Sequence, residues 1–152
     1  MTRERRIILD AERDTEELVS LIETGALVPL RVTGSSMLPT LRGGVDTVWL
    51  RKYGERTPRV GDIALFLRDG KRFILHRVRH LGKDHAVMNG DAQTVCEKIP
   101  RDALIAYTEA VTRGEKHFRT DCALFRLYSA LWYPLRPVRR TVFGAYSEIR
   151  KK

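Results

Sequence analysis

A short stretch without charged residues, between positions 32 and 41, carries the side chains best suited to covalent chemistry. It reads Val-Thr-Gly-Ser-Ser-Met-Leu-Pro-Thr-Leu, in a chain of which 31% of the residues are charged. A glycine followed closely by a proline suits neither a helix interior nor a buried strand. We therefore expect a strand that ends in a turn and presents the hydroxyl of Ser35 or Ser36.

A serine hydroxyl is a weak nucleophile at neutral pH unless a base lies within hydrogen-bond reach. Among the four histidines of the chain, His76 is the strongest candidate for that base. Strand alternation places it on one face with Ile74 and Val78 and directs Arg77 outwards. A neutral imidazole on an apolar face suits a general base. A histidine there is also often a core residue, so the pattern alone leaves both roles open.

A carboxylate beside the imidazole would fix its tautomer and stabilise the imidazolium ion. Asp91 follows Asn89-Gly90 at a predicted strand end, from which its side chain could reach back. Asn-Gly-Asp is also a common turn sequence, which gives Asp91 a simpler role. Glu97 is the second candidate, and the choice between the two acids stays open. No histidine or cysteine pair has metal-ligand spacing, so we expect neither a metal nor another cofactor.

The elements that must hold these residues are short apolar runs separated by turn signals. Residues 14–24 have the spacing of a short amphipathic helix, which ends at Gly25. Strand patterns follow, and Asp69-Gly70 is a hairpin signal between two of them. The predicted strands lie near residues 28–32, 46–50, 63–67, 72–79, 86–88 and 103–111. We therefore expect a mainly β fold, with an antiparallel β-domain over residues 28–115 after an N-terminal arm and helix over 1–27.

A helical pattern returns in the third segment, residues 116–152. The apolar residues at helical spacing are Leu124, Leu127, Tyr128, Leu131 and Leu135. The basic residues around and after them are Arg126, Arg136, Arg139, Arg140, Arg150, Lys151 and Lys152. With Trp132 and Tyr133 as interfacial aromatics, this amphipathic helix suits an anionic membrane surface. The alternative is that it packs on its own β-domain, and the pattern allows both.

The composition narrows the classes of partner and location. A chain of 152 residues suits one domain with terminal extensions, and its net charge of +9 indicates an anionic partner. Nucleic acid is not expected, because the chain before residue 32 holds too little helix for a DNA-reading head. The sequence shows no signal-peptide core, no apolar run of about 20 residues and no disulfide pattern. We expect a cytoplasmic protein, with peripheral contact to the inner face of the membrane as an option.

Four short motifs resemble, in order, those of type I signal peptidases and their LexA-like relatives. Residues 34–40, Gly-Ser-Ser-Met-Leu-Pro-Thr, resemble the family's Gly-x-Ser-Met-x-Pro-Thr motif. Residues 59–63, Arg-Val-Gly-Asp-Ile, resemble its Gly-Asp-Ile strand, and residues 89–91 resemble its later Gly-Asp motif. Residues 76–78, His-Arg-Val, are similar to the endoplasmic-reticulum and archaeal type, whereas bacterial members have Lys-Arg-Val. The matching region spans about residues 28–112.

The resemblance implies a LexA/signal-peptidase-like antiparallel β-fold and a Ser-His(-Asp) acyl-enzyme mechanism without a cofactor. The nucleophile would be Ser36, the general base His76 and the orienting acid Asp91, with Glu97 as the alternative acid. The residues expected to shape the oxyanion hole and the substrate cleft are Gly34, Ser35, Met37 and Pro39. The substrate would be an extended polypeptide with small side chains near the cleaved bond.

The sequence therefore predicts a small serine endopeptidase that cleaves a peptide or leader. Signal peptidases usually have an N-terminal membrane anchor, which we do not find in this sequence. One alternative is a LexA-like self-cleaving regulator, for which Gly25-Ala26 is the only small-residue site upstream of Ser36. A second alternative is a non-catalytic module that binds peptides or membranes on the same fold.

Overall fold

Eight strands and two α-helices make up most of the part of the chain that the structure describes. The computed structural model describes residues 14–54, 56–135, 137–139 and 141. The strands are β1 (Val28–Arg31), β2 (Asp46–Lys52), β3 (Ile63–Arg68), β4 (Arg72–Leu81), β5 (His85–Asn89), β6 (Glu97–Pro100), β7 (Leu104–Arg113) and β8 (Lys116–Arg119). The helices are α1 (Thr15–Glu23) and α2 (Ala123–Trp132), and 3₁₀ turns cover Arg101–Ala103 and Tyr133–Leu135. The N-terminal arm and the basic residues Arg136, Arg140, Arg150, Lys151 and Lys152 lie outside the described residues.

The strands pair antiparallel in one curled sheet with the order β1-β2-β7-β3-β4-β5-β6, and β8 pairs with β7. β3 and β4 form the predicted hairpin. Asp69 and Gly70 at its turn have φ values of 53° and 66°, the conformation that a two-residue Asp-Gly turn favours. The predicted mainly β fold is confirmed.

Two apolar clusters line the sheet, and the first of them anchors the serine stretch. Leu18 and Ile22 of α1 pack in it against β1 and β2. Met37 and Leu41 belong to the same cluster and are 3% and 0% exposed. Full burial of such a side chain stabilises a fold by about 1.5–3 kcal/mol. Met37 and Leu41 therefore anchor the C-terminal side of the serine turn in the core.

The face of β4 that was expected to be solvated is buried. Arg77 is 0% exposed, so the prediction that its side chain points into solvent is wrong. α2 covers this face, with Phe125 and Ser129 against the Arg77 guanidinium. The guanidinium also forms an ion pair with Asp91, which is 0% exposed as well. A paired charge can be buried in this way, because its partner and hydrogen bonds offset part of the desolvation cost.

Two of the strands did not stand out in the sequence. β6 is only four residues long and pairs with β5, and β8 is equally short and pairs with β7. β6 is half polar and β8 is mostly polar, and neither shows the apolar alternation that identifies a strand. β8 also extends the sheet to Arg119, beyond the expected boundary at residue 115.

The predicted C-terminal helix is present as α2, and it has two different faces. One face packs on the β-domain, where the hydroxyls of Tyr128 and Thr40 form a hydrogen bond with an O···O distance of 3.0 Å and the Trp132 indole donates to the Asp91 carbonyl. The other face is apolar and exposed, with Leu124, Leu127 and Leu131 at 77%, 56% and 61%. Among the described residues, no helix combines the length and the hydropathy needed to cross a membrane.

Candidate functional site

Ser36 lies in a turn between β1 and β2 that its own sequence shapes. Gly34 has a φ of +71°, a value that favours glycine. After the serine, the Leu41 N–H donates to the Met37 carbonyl at 2.9 Å, which closes a helical turn. Ser36 itself is half-buried, whereas Ser35 is exposed. The turn therefore directs one hydroxyl towards the sheet and leaves the adjacent one in solvent.

The Ser36 hydroxyl meets the imidazole of His76 from β4. The distance from Ser36 Oγ to His76 Nε2 is 3.2 Å. This is the outer end of the range expected for a nucleophile and its base, a range that is often looser without a substrate. His76 is 3% exposed and lies beside Phe66, with the two ring centroids 6.0 Å apart. The structure thus brings the serine and the histidine together across 40 residues of sequence.

Burial controls the protonation of His76. Loss of solvation lowers the pKa of the imidazole to about 4, and the nearby Glu97 carboxylate opposes only part of that shift. The ring is therefore neutral at pH 7. A neutral imidazole can accept a proton through Nε2, as a general base must.

Glu97 is the acid that lies beside the other ring nitrogen. Its Oε1 is 3.5 Å from His76 Nδ1, which is too long for a good hydrogen bond, and Nδ1 makes none with the described residues. Arg68 holds the same carboxylate, with a distance of 2.9 Å from Nε to Oε2. When Nε2 accepts the serine proton, Nδ1 must carry the ring hydrogen, and Glu97 is placed to accept a hydrogen bond from it.

Asp91, the acid expected first, contacts other residues. Its Oδ1 and Oδ2 accept hydrogen bonds from Arg77 at 2.8 and 2.6 Å. Arg79 and Thr40 also donate to it, at 3.1 and 2.5 Å. Asp91 makes no hydrogen bond with His76, although both residues are described. The expectation that it orients the imidazole does not fit this geometry, because arginines and a threonine already occupy both carboxylate oxygens.

The Asn89-Gly90-Asp91 segment instead holds the serine turn in place. The Ala92 N–H donates to the Ser36 carbonyl at 2.9 Å. A Cβ at Gly90 would lie 2.6 Å from that same carbonyl oxygen, so only glycine permits this approach. Thr40 links the turn to Asp91 through the hydrogen bond described above. This motif therefore positions the nucleophile from its backbone side.

The remaining residues expected around the serine fall into two groups. Gly34 and Pro39 are exposed beside it, where a substrate could pass. Met37 is 3% exposed and packs in the core, so its side chain supports the turn from below and does not line a cleft. The Ser36 N–H makes no hydrogen bond with the described residues, which leaves it available to an oxyanion.

Two contributors to the site were not singled out from the sequence. Arg68 fixes Glu97, and Thr40 joins the serine turn to Asp91. Thr40 lies inside the serine motif, so its presence there was a usable signal. The sequence contains no such signal for Arg68, because arginine is common before a hairpin turn. Within the described part of the chain, no group of three or more His, Cys, Asp or Glu residues could hold a metal ion.

Comparisons with protein-family models, with curated proteins and with solved structures find no match to this chain. The chemistry of the site is therefore inferred from its own geometry.

Proposed function

We propose that the protein is a serine endopeptidase in which Ser36 is the nucleophile and His76 the general base. The observation that supports this proposal is the 3.2 Å distance between Ser36 Oγ and His76 Nε2, with the imidazole buried and neutral. A hydroxyl paired with a neutral base is the arrangement that covalent acyl transfer requires. The Glu97 carboxylate beside Nδ1 completes the set as the orienting acid.

The proposed reaction has two steps. His76 Nε2 takes the Ser36 proton as Oγ attacks the carbonyl carbon of a peptide bond, and the Ser36 N–H stabilises the oxyanion. The imidazolium then gives this proton to the leaving amine, and the acyl-enzyme remains. In the second step, His76 takes a proton from water as the hydroxide attacks the ester, and returns that proton to Ser36 Oγ. No metal or organic cofactor takes part.

The motif order supports a relation to signal peptidases and LexA-like enzymes, with a LexA-like form of the mainly β fold. On this proposal, an extended polypeptide lies beside the serine turn as an added strand, with small side chains near the cleaved bond. The partly or fully exposed cysteines, Cys96 and Cys122, form no disulfide, which favours a reducing compartment such as the cytoplasm.

A serine-directed fluorophosphonate probe tests the proposal. We expect wild type to be phosphonylated at Ser36 and Ser36→Ala not to be labelled there, because the nucleophile is absent. His76→Ala should lose at least about a hundredfold in labelling rate, because general-base catalysis contributes about 10²–10⁴. Ser35→Ala is the matched control and should label like wild type. Equal labelling of wild type and Ser36→Ala would overturn the peptidase and leave a non-catalytic module. Ser36-dependent loss of an N-terminal fragment in pure protein would favour the self-cleaving regulator.

A specific observation also favours a peripheral membrane role. The exposed leucines of α2 lie in a segment, residues 116–152, that contains nine Lys and Arg against two acids. Apolar side chains with surrounding positive charge bind anionic bilayers. We therefore propose that α2 holds the enzyme at the inner face of the membrane, where its substrate is presented.

A further inference from the structure

A cavity of about 530 Å³ lies between α2, the segment that joins β2 to β3, and strands β4 and β7, apart from the proposed catalytic site. Neither Ser36 nor His76 lines it. α2 and the turn after it contribute Phe125, Ser129 and Tyr133 to its wall, and β4 contributes Arg79. Its volume falls in the range of about 300–1,000 Å³ that is usual for small-molecule sites.

The cavity wall carries more positive than negative charge. Five arginines line it, at positions 56, 59, 79, 119 and 126, against three acids at positions 62, 109 and 121. Arg56 pairs with Asp62, and Arg119 pairs with Asp121. The third acid, Glu109, pairs chiefly with Arg51, which is not a lining residue. None of the three lining acids therefore pairs closely with the other three arginines, at positions 59, 79 and 126.

Arg79 is the buried member of these three. Its side chain is 6% exposed, and its one ion pair is with Asp91 at 3.1 Å. Arg77 already holds both oxygens of that carboxylate, so two guanidinium groups share one negative charge. The Arg79 Nε–H has no acceptor among the described residues. A guanidinium that shares one carboxylate with a second guanidinium is incompletely neutralised, and an anion in the cavity that Arg79 lines would complete its pairing.

The surroundings of Arg79 favour a phosphate group over a single carboxylate. Burial, together with the neighbouring Arg77 charge, lowers the pKa of its guanidinium to about 10, so it stays charged at pH 7. Tyr133 lies under it, with Cζ 4.6 Å from the ring centroid, which fixes its plane. Guanidinium groups bind phosphate in a planar, two-bond geometry, and a dianion matches the excess charge of several arginines. The exposed side chains of Arg59 and Arg126 can contact the phosphate group from the solvent side.

We propose that the cavity under α2 is a binding site for a phosphate-bearing ligand, with Arg79 as its buried anchor and Arg59 and Arg126 at its mouth. The volume exceeds that of inorganic phosphate, so the natural ligand carries more than this group. A soluble phosphate ester and a phospholipid headgroup share this chemistry. The proposal does not depend on catalysis, and it can be tested in a Ser36→Ala background.

The test measures binding of inorganic phosphate and glycerol 3-phosphate to full-length Ser36→Ala protein by calorimetry, at constant ionic strength. Vesicles of phosphatidylcholine with and without phosphatidylglycerol form the second arm. Saturable binding of a soluble probe that is at least tenfold weaker in Arg79→Met supports a soluble phosphate ester. An Arg79-dependent response to phosphatidylglycerol vesicles alone supports a headgroup.

Arg72→Met, an exposed arginine on β4 outside the cavity, is the matched control and should bind like the parent protein. If Arg79→Met does not fold, the double variant Arg59→Ala and Arg126→Ala replaces it, since both side chains are exposed. That variant should bind at least fivefold more weakly. Absence of binding to every probe, or full affinity in both the Arg79 and the double variant, would overturn the proposal.

Discussion

At the scale of single residues, the neutral imidazole of His76 determines the pH range in which the proposed enzyme works. Its pKa of about 4 lies well below the ordinary value of 6.5, because the ring is buried. The imidazole is therefore almost entirely in its neutral, basic form at pH 7. The cost is a weaker base, since proton-transfer efficiency falls with the pKa of the acceptor. A carboxylate that stabilises the positive charge developing on the imidazole compensates for this weakness. Glu97 is the carboxylate beside Nδ1.

Glu97→Gln should therefore change both the rate and the pH profile of phosphonylation by a fluorophosphonate. The charge-assisted hydrogen bond that Glu97 is placed to accept from Nδ1 as the imidazolium forms is worth about 1.5–3 kcal/mol, so its loss slows the reaction by about 10- to 100-fold. The acid limb of the profile should also move to lower pH, because the Glu97 carboxylate raises the pKa of His76. The measurement is the second-order labelling rate between about pH 3 and 9, a range that includes the acid limb on both sides of the His76 pKa of about 4.

Asp91→Asn is the matched comparison for that experiment. Because it breaks a buried ion pair with two arginines, it should lower the free energy of unfolding by about 3–5 kcal/mol. Its labelling rate per folded molecule should stay above that of Glu97→Gln. A greater loss in folded Asp91→Asn than in Glu97→Gln would restore Asp91 as the orienting acid.

The sequence predicted the residues of the site better than their partners. Serine and histidine types, motif order and strand alternation were enough to single out Ser36 and His76, which lie in contact. They could not decide between Asp91 and Glu97, because that choice depends on which strands become neighbours in the sheet. β6, which carries Glu97, was not predicted at all. The burial of Arg77 could likewise not be predicted, because it depends on the packing of α2 over that face of β4.

At the scale of elements, the two faces of α2 have different surroundings. Its inner face, with Tyr128 and Ser129, packs on Thr40 and Arg77 and so supports the network behind the serine turn. Its outer face presents leucines that nothing in the described residues covers. Periodicity predicted the helix and its leucine stripe. It could not show which face would dock, because the aromatic and leucine stripes are both apolar.

The double substitution Leu127→Ser and Leu131→Ser tests the membrane role of that outer face. Both side chains are more than half exposed, so the fold should be retained. Removal of two partly inserted leucines should weaken binding to phosphatidylglycerol-containing vesicles by about 10- to 100-fold. Co-sedimentation measures this binding.

Val95→Ser, which removes an apolar group that is 74% exposed outside α2, is the control and should bind like wild type. Equal binding of the double variant would contradict a role for α2 in membrane binding.

At the scale of the whole molecule, the buried polar and charged groups of the site lower the stability of the fold, and the rest of the structure offsets this loss. A buried neutral histidine and two buried arginines around one aspartate are more expensive than an apolar core of the same volume. The two apolar clusters and the continuous sheet supply the compensating stability. This balance should depend on pH, because an unfolded chain returns His76 to its ordinary pKa.

The free energy of unfolding should therefore fall as the pH is lowered from about 6.5 to about 4. In this range the unfolded state binds a proton at His76 and the folded state does not, so stability rises with pH. At pH 4 the contribution from this one group is about 3 kcal/mol.

Urea denaturation of wild type and His76→Gln at pH 7 and pH 4 measures this contribution. The variant should lose about 3 kcal/mol less than wild type, whereas the exposed control His117→Gln should behave like wild type. Equal losses in wild type and His76→Gln would mean that the pKa of His76 is the same in the folded and unfolded states, so burial would not be what keeps the imidazole neutral.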